Sequence, residues 1–444
     1  MMVGTFTTEY VRFGAFFLVS IRSLRMKKID RTAEFPQLRD GEVYADWTGA
    51  ALPPVSLISK FATFLTSHLL GNPHSSHRAS QTASDMVTAT RARILSYLNA
   101  SSDEYDVVFT PNATGAIRIL EHFVFRGGEL LLTADNHNSV NGLRETAKRD
   151  GGVVRYAPIN GNLGIDVDGL VRLLDYPRTE GGNKLFAYPA KSNYSGVCHP
   201  LELVGMAQER GWYVLLDAAA YNANCRLDLS AVKPDFVPVS FYKMFGFPTG
   251  VGCLIIKKTA YAALAKKWFA GGSIRLVSVA TDYFTHDRGA SKYEDGTINF
   301  QMIPAIMEGL EFLEEFGDRN RHAIALATQL RDELKGLAVG DALFVIHSPR
   351  GTDTVACAVR KDGEYLSVRR FEEFASERGV HVRAGDFCNP GANEQVYGFV
   401  VDPNEPQFDA APNGSIRISF GYANVASDVS RILEVAREYL DHIQ

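Results

Sequence analysis

Between Val107 and Ile256 the chain alternates short, apolar, β-rich runs with amphipathic stretches, and this alternation constrains its fold more than any other feature. The runs are Val107–Thr110, Glu129–Thr133, Val153–Ala157, Lys184–Tyr188, Tyr213–Leu216, Phe236–Val239 and Gly252–Ile256. Helical patterns such as AIRILEHFVF and Leu201–Glu209 lie between them. Runs that are apolar throughout are strands buried on both faces, and intervening helices supply the cover. The expected architecture is α/β, with a large, mostly parallel sheet.

The texture changes after Gly296. A long amphipathic stretch, Ile303–Phe316 into Arg319–Leu337, reads as a linking helix. Beyond it ALFVIHS, TVACAVR and SIRISF read as strands, and SVRRFEEFASER and VASDVSRILEVAREYLDHI as helices. The 444 residues exceed what one core usually serves. The expected division is an N-terminal extension over 1–41, a large α/β domain over 42–300, and the linking helix with a small C-terminal α+β domain over 301–444.

Charge and cysteine content exclude several classes. Lys and Arg number 46 against 51 Asp and Glu, a net charge of -5, which leaves no footprint for nucleic acid or an anionic membrane. The five cysteines, Cys198, Cys225, Cys253, Cys357 and Cys388, form no Cys-x-x-Cys pair, so no metal site is expected and a reduced, cytoplasmic setting fits. The apolar Phe13–Ser20 is too short to span a bilayer, and Arg22 and Arg25 follow it, against the order of a secretory signal. Residues 1–25 read as an extension, with Met26 an alternative initiator.

Ligands of open α/β sheets sit at the carboxyl ends of strands, and three such ends carry unusual polar residues here. TPNATGA, Thr110–Ala116, joins a strand to a helix; its small residues and helix N-terminus suit an anion, although a plain N-cap turn has the same pattern. Asp217 closes YVLLD and must be solvated, paired or held for a ligand. Lys243 follows the strand FVPVS and precedes MFGFPTGVG, where desolvation would lower its pKa and favour a nucleophilic amine. Together these match the protein's share of pyridoxal 5'-phosphate (PLP) chemistry: a lysine that bonds the aldehyde, a carboxylate that keeps the pyridine nitrogen protonated, and a turn that holds the phosphate.

The ordered motifs YADWTGAALPP, GNPHSSH, DNHNSVNGLRE, FAYPAKSNYSG, LLDAAAYN, SFYKMFGFPTGVG, YEDGTINF, RAGDFCNPGA and GSIRISFGY cover nearly the whole chain from about residue 42. As a set they resemble the aminotransferase class V domain of molybdenum cofactor sulfurases, which is related to the cysteine desulfurases. The resemblance implies a homodimeric fold-type-I PLP enzyme. It matches Lys243 to the PLP-binding lysine, Asp217 to the pyridinium partner and His137 to the histidine that stacks on the ring and assists proton transfer. Ala113, Thr114, Ser240 and Tyr242 fall at phosphate-contacting positions, and Thr297 at the residue that reaches the phosphate from the other subunit. Asn193 is matched to a position near the ring hydroxyl and substrate, Arg417 to the arginine that grips the substrate carboxylate, and Arg383 to its neighbourhood. Cys388 takes the place of the cysteine that attacks substrate sulfur and carries a persulfide.

The implied reaction is desulfuration of L-cysteine to alanine, with sulfur passing to an acceptor that the sequence does not name. Asp386 and Asn393 stand where the family's loop often has further cysteines, which puts a relay between thiols in doubt. Ala220 and Tyr242 follow the sulfurase-like version of their motifs rather than the general desulfurase pattern. Cys198, Cys225, Cys253 and Cys357 are expected to be inert, buried residues. Two alternatives stay open: another class V reaction (C–S lyase, epimerase or aminotransferase) in which Cys388 is incidental, and a non-catalytic scaffold that kept the fold. A Rossmann dehydrogenase is not supported, because no Gly-x-Gly-x-x-Gly follows the early strands.

Overall fold

The computed structural model describes residues 29–39, 41–399 and 414–444. The extension expected over 1–25, with Met26, lies outside the described residues.

Each apolar run becomes a strand: β1 Tyr105–Thr110, β2 Glu129–Thr133, β3 Val153–Ala157, β4 Lys184–Pro189, β5 Tyr213–Asp217, β6 Phe236–Ser240 and β7 Gly252–Lys257. They form one sheet in the order β1-β7-β6-β5-β4-β2-β3. Every pairing is parallel except those of β7, which runs antiparallel to both β1 and β6. Successive side chains point to opposite faces. Leu131, Phe186, Val214, Val237 and Ile255 therefore join one hydrophobic cluster, and Leu130, Leu185, Leu215, Phe236 and Leu254 another.

A second, antiparallel sheet runs Ala338–Val339, Ala342–Ile346, Thr354–Lys361, Ser415–Ser419 and Arg383–Gly385, with Glu364–Tyr365 paired to the third of these. Helices Arg319–Lys335, Val368–Ser376 and Ala426–His442 cover it through a core that includes Leu330, Phe371 and Ile432. Val43 and Ala45 pack in this core too, because Val43–Tyr44 pairs in parallel with Val380–His381.

Two details differ from the sequence expectation. The linking stretch is two helices, Ala305–Glu314 and Arg319–Lys335, because Asp318 caps the second by accepting from the Arg321 N–H at 2.9 Å. In AIRILEHFVF the α-helix, Ala113–Arg118, gives way to a 3₁₀ turn over Ile119–His122, and Phe123 then bridges to Leu264. No helix among the described residues is long and apolar enough to cross a membrane.

Candidate active site

The carboxyl ends of β4, β5 and β6 and the turn after β1 surround a cavity of about 370 Å³. The turn is built tightly. Asn112 caps its helix by accepting from the Gly115 N–H at 2.9 Å, and the Ala113 N–H donates to Ser240 Oγ at 3.0 Å, tying the turn to the end of β6. A Cβ on Gly252 would lie 2.7 Å from both Asn112 Cα and the Val239 carbonyl oxygen, so only glycine lets β7 pass this close beneath the turn. The Thr114 and Ser139 hydroxyls share a hydrogen bond of 2.7 Å at the rim. The N-cap and anion-cradle readings of TPNATGA are thus compatible: the cap uses Asn112, and Ala113, Thr114 and Ser240 face the cavity.

Asp217 ends β5 with its carboxylate nearly buried, and its Oδ1 accepts from the Ala219 N–H at 3.0 Å. Lys243 lies in the single helical turn Tyr242–Phe245, which closes on Gly246 at φ +79°. Among the described residues the Lys243 ammonium has no hydrogen-bond or ion-pair partner, although it lines the cavity beside Asp217. Burial lowers its pKa below the usual lysine value; Arg417 and Arg383 add to this and Asp217 opposes it. Tyr242 is half-buried and lines the same cavity.

His137 caps the helix Asn138–Asn141, and its Nδ1 accepts from the Ser139 N–H at 3.1 Å. That bond requires an unprotonated Nδ1. Burial, reinforced by the Lys243 charge, lowers the His137 pKa and favours the neutral ring.

Arg417 comes from the second sheet and is 2% exposed. Its Nη2 donates to Asp46 Oδ1 at 2.5 Å, its Nη1 donates to the Asn193 carbonyl at 2.9 Å, and its Nε is buried with no partner among the described residues. Arg383 reaches the same carboxylate less closely, 4.0 Å from Asp46 Oδ2. Asn193 holds the loop that carries Cys388: its Nδ2 donates to the Phe387 carbonyl at 2.7 Å, and its Oδ1 accepts from Asn389 at 3.0 Å. Cys388 is exposed, and its own carbonyl accepts from the Asn138 N–H at 2.7 Å, next to His137.

Thr297 is not brought into the Lys243 cavity of its own chain. It lines a neighbouring cavity of about 690 Å³, with Pro111 and Gly250 belonging to the rims of both.

Of the remaining cysteines, Cys253 and Cys357 are buried, as expected of inert residues. Cys198 departs from that expectation. It is exposed, on a short bridge opposite Lys191, and its side chain meets that of Cys225. That contact, helped by the Lys191 charge, brings the Cys198 thiol down to about 7.

Sequence reasoning missed two residues of this region. Lys191, two positions past β4, is 2% exposed and lines the cavity, where it pairs with Asp353, the residue before the second-sheet strand Thr354–Lys361. Asp353 Oδ2 also accepts from Asn224 at 2.6 Å. A lysine just past an apolar strand was the available signal, the same one that marked Lys243. Asp46 carried no such signal, since its role depends on Arg417, 371 positions away.

A family model described as Aminotransferase class-V matches residues 43–432. Molybdenum cofactor sulfurase from Oryza sativa subsp. japonica is 32% identical over 91% of this chain and 56% of its own length. Molybdenum cofactor sulfurase from Homo sapiens is 31% identical over 93% of this chain and 51% of its own length. The chain therefore spans about half the length of these relatives. Among solved structures, the apo cysteine desulfurase from Thermococcus onnurineus NA1 aligns with a TM-score of 0.80 at 21% identity, covering 95% of this chain and 99% of that one. The cysteine desulfurase CsdA (S-sulfonic acid) from Escherichia coli aligns at 0.77 and 24%, covering 92% and 97%. The architecture is that of fold-type-I transferases, a large, mostly parallel sheet with a smaller α+β part.

Proposed function

Because the chain belongs to the aminotransferase class-V family, we propose that it is a PLP-dependent sulfurtransferase that takes sulfur from L-cysteine as a persulfide on Cys388 and releases alanine. The observation that carries this reading is the amine of Lys243, unpaired among the described residues, in a cavity shared with Asp217 and His137, with the Cys388 carbonyl bonded to the residue after His137.

The cavity suits PLP. Lys243 offers the aldehyde an amine with no partner among the described residues, Asp217 offers the ring nitrogen a carboxylate oxygen, and the turn at Ala113 and Thr114, with Ser240 and Tyr242, offers the phosphate polar groups. In this reading Thr297 reaches that phosphate from the second copy of a homodimer. Bound there, the cofactor supplies an electron sink for the substrate's carbon skeleton.

The chain's own groups do the rest. Arg417, with Arg383 beside it, receives the substrate carboxylate, to which its Nε, left without a partner among the described residues, can donate. Asn193 lies between that carboxylate and the Cys388 loop. His137, neutral and oriented through Nδ1, has its Nε2 available to accept or return a proton. Cys388 attacks as thiolate: its sulfur bonds to the substrate sulfur as the carbon–sulfur bond breaks, the bonding pair stays with the carbon skeleton, and protonation there completes alanine. The acceptor to which the relatives' names point is the molybdenum cofactor. A two-domain division near residue 300 and a cytoplasmic setting belong to the same reading.

The test is to incubate the protein with PLP and L-cysteine and assay alanine and protein-bound persulfide, wild type beside Cys388→Ser. Both products in the wild type and neither in the variant is the expected result. Alanine production that persists without Cys388 would replace this reading with another class V reaction, and a protein that shows no PLP absorbance would replace it with a scaffold.

A further inference from the structure

Phe387 and Cys388 are consecutive residues, neither of them glycine, and both lie in the left-handed region at φ +57°. L-residues with side chains seldom adopt this conformation singly, and two in succession persist only where the surroundings hold them. The Cys388 N–H donates to Asp386 Oδ1 at 3.1 Å, and several further contacts that hold this pair meet at the Phe387 side chain. The Phe387 ring is 4% exposed, packs against Tyr194 in a tilted pair with centroids 5.3 Å apart, and lies beneath the Arg417 guanidinium, whose Cζ is 4.6 Å from the ring centroid. The backbone repeats the connection, since Asn193 accepts from Arg417 through its carbonyl and donates to the Phe387 carbonyl through its side chain. On the far side, Asn138 anchors Cys388.

From this arrangement we propose that Phe387 is a positioning residue that couples the occupancy of Arg417 to the set of Cys388. The inference rests on the reading of Arg417 as the carboxylate site and Cys388 as the nucleophile. A cation held against an aromatic face is attracted by the ring quadrupole, and a carboxylate that takes up the guanidinium's charge weakens that attraction. The buried Nε of Arg417, with no partner among the described residues, is the donor left for such a carboxylate. When the guanidinium turns to meet it, the ring loses part of what holds it. The left-handed pair then readjusts and re-aims the thiol. Substrate binding in this scheme brings the nucleophile to its working position, so an empty site keeps a differently set cysteine.

The readout is the rate at which iodoacetamide alkylates Cys388, resolved by peptide mass spectrometry, in the PLP-loaded protein with and without saturating L-alanine, an amino acid with no sulfur to transfer. In the wild type the rate is expected to change by about threefold, the scale of a cation–π contact. In Phe387→Leu the change should vanish while alanine still binds, as followed by equilibrium dialysis; Phe387→Tyr, which keeps the ring, should restore it. Simple shielding of the thiol by bound alanine would survive in Phe387→Leu, and that result overturns the proposal. A wild-type rate indifferent to alanine overturns it as well, whether or not the leucine variant folds. Failure of the desulfurase reading would appear separately, as alanine formed from L-cysteine by Cys388→Ser.

Discussion

The backbone N–H of Asn138 donates to the carbonyl of Cys388 at 2.7 Å. One bond thus joins the loop of the proposed nucleophile to the helix that His137 caps, 250 residues earlier in the chain. Asn138 is the first residue of that helix, a position where proline is tolerated because the N–H has no helical partner. Asn138→Pro should therefore fold with a loss of only about 1 kcal/mol. Persulfide formation on Cys388 should fall by about tenfold, since a misplaced reacting group costs rate out of proportion to stability. Urea unfolding beside a persulfide assay checks both halves.

Lys243 is the one group in the cavity with the chemistry to bond an aldehyde and no protein partner among the described residues to compete for it. Borohydride treatment of PLP-loaded wild type should give a stable adduct on the peptide containing Lys243, with formation already efficient well below pH 10.5 because the amine's pKa is lowered. Lys243→Ala should give no adduct and should lose about 10³-fold in alanine formation, the range for a lost proton-transfer group. An adduct on another lysine would refute the assignment.

Burial holds the His137 pKa below its ordinary 6.5. As pH falls through 6.5 the unfolded chain binds a proton there before the folded chain does, so stability tied to this histidine is present above 6.5 and is lost as pH falls further. His137→Asn should be less acid-sensitive. Its urea midpoint relative to wild type should rise between pH 7.5 and pH 5, and a constant difference would show that His137 does not titrate in this window.

Gly252 lets β7 pass close beneath the turn that carries Asn112. Gly252→Ala puts a Cβ within 2.8 Å of backbone atoms on both sides, so the turn must move away from β7. PLP affinity should weaken by about tenfold, or 1.4 kcal/mol, measured by absorbance titration of the apoprotein. Unchanged affinity would separate the turn from cofactor binding.

The Lys191–Asp353 pair joins the lining of the cavity to the residue before the second-sheet strand Thr354–Lys361, with both side chains 1% exposed. Asp353→Ala strands a buried ammonium and should cost about 3–5 kcal/mol. The double variant Lys191→Met, Asp353→Leu should recover most of that loss, because an apolar pair avoids the desolvation penalty. Urea unfolding of the two variants decides this; if the double variant is no better than the single, the loss lies with Asn224, which also bonds Asp353.

How far the sequence could be read depended on the range of the interaction. All seven strands of the large sheet were legible to within a residue or two at their ends, since an unbroken apolar run has few other ways to be buried. Asp217 and Lys243 were legible because strand ends in such a sheet open onto one edge. The break at Asp318 was missed: the periodicity continues across it, and only the capping bond shows that the helix restarts.

What the sequence determined by itself was a parallel core, a set of polar strand ends and the chemistry each residue type can supply, because these follow from local pattern and side-chain identity. The tertiary structure decided which partners those residues have. Asp46 meets Arg417, Lys191 meets Asp353, Asn138 holds Cys388 and Phe387 lies under Arg417, each joining residues more than 25 positions apart. Periodicity carries no information about such pairs, because they are set by how segments far apart in the chain close on one another.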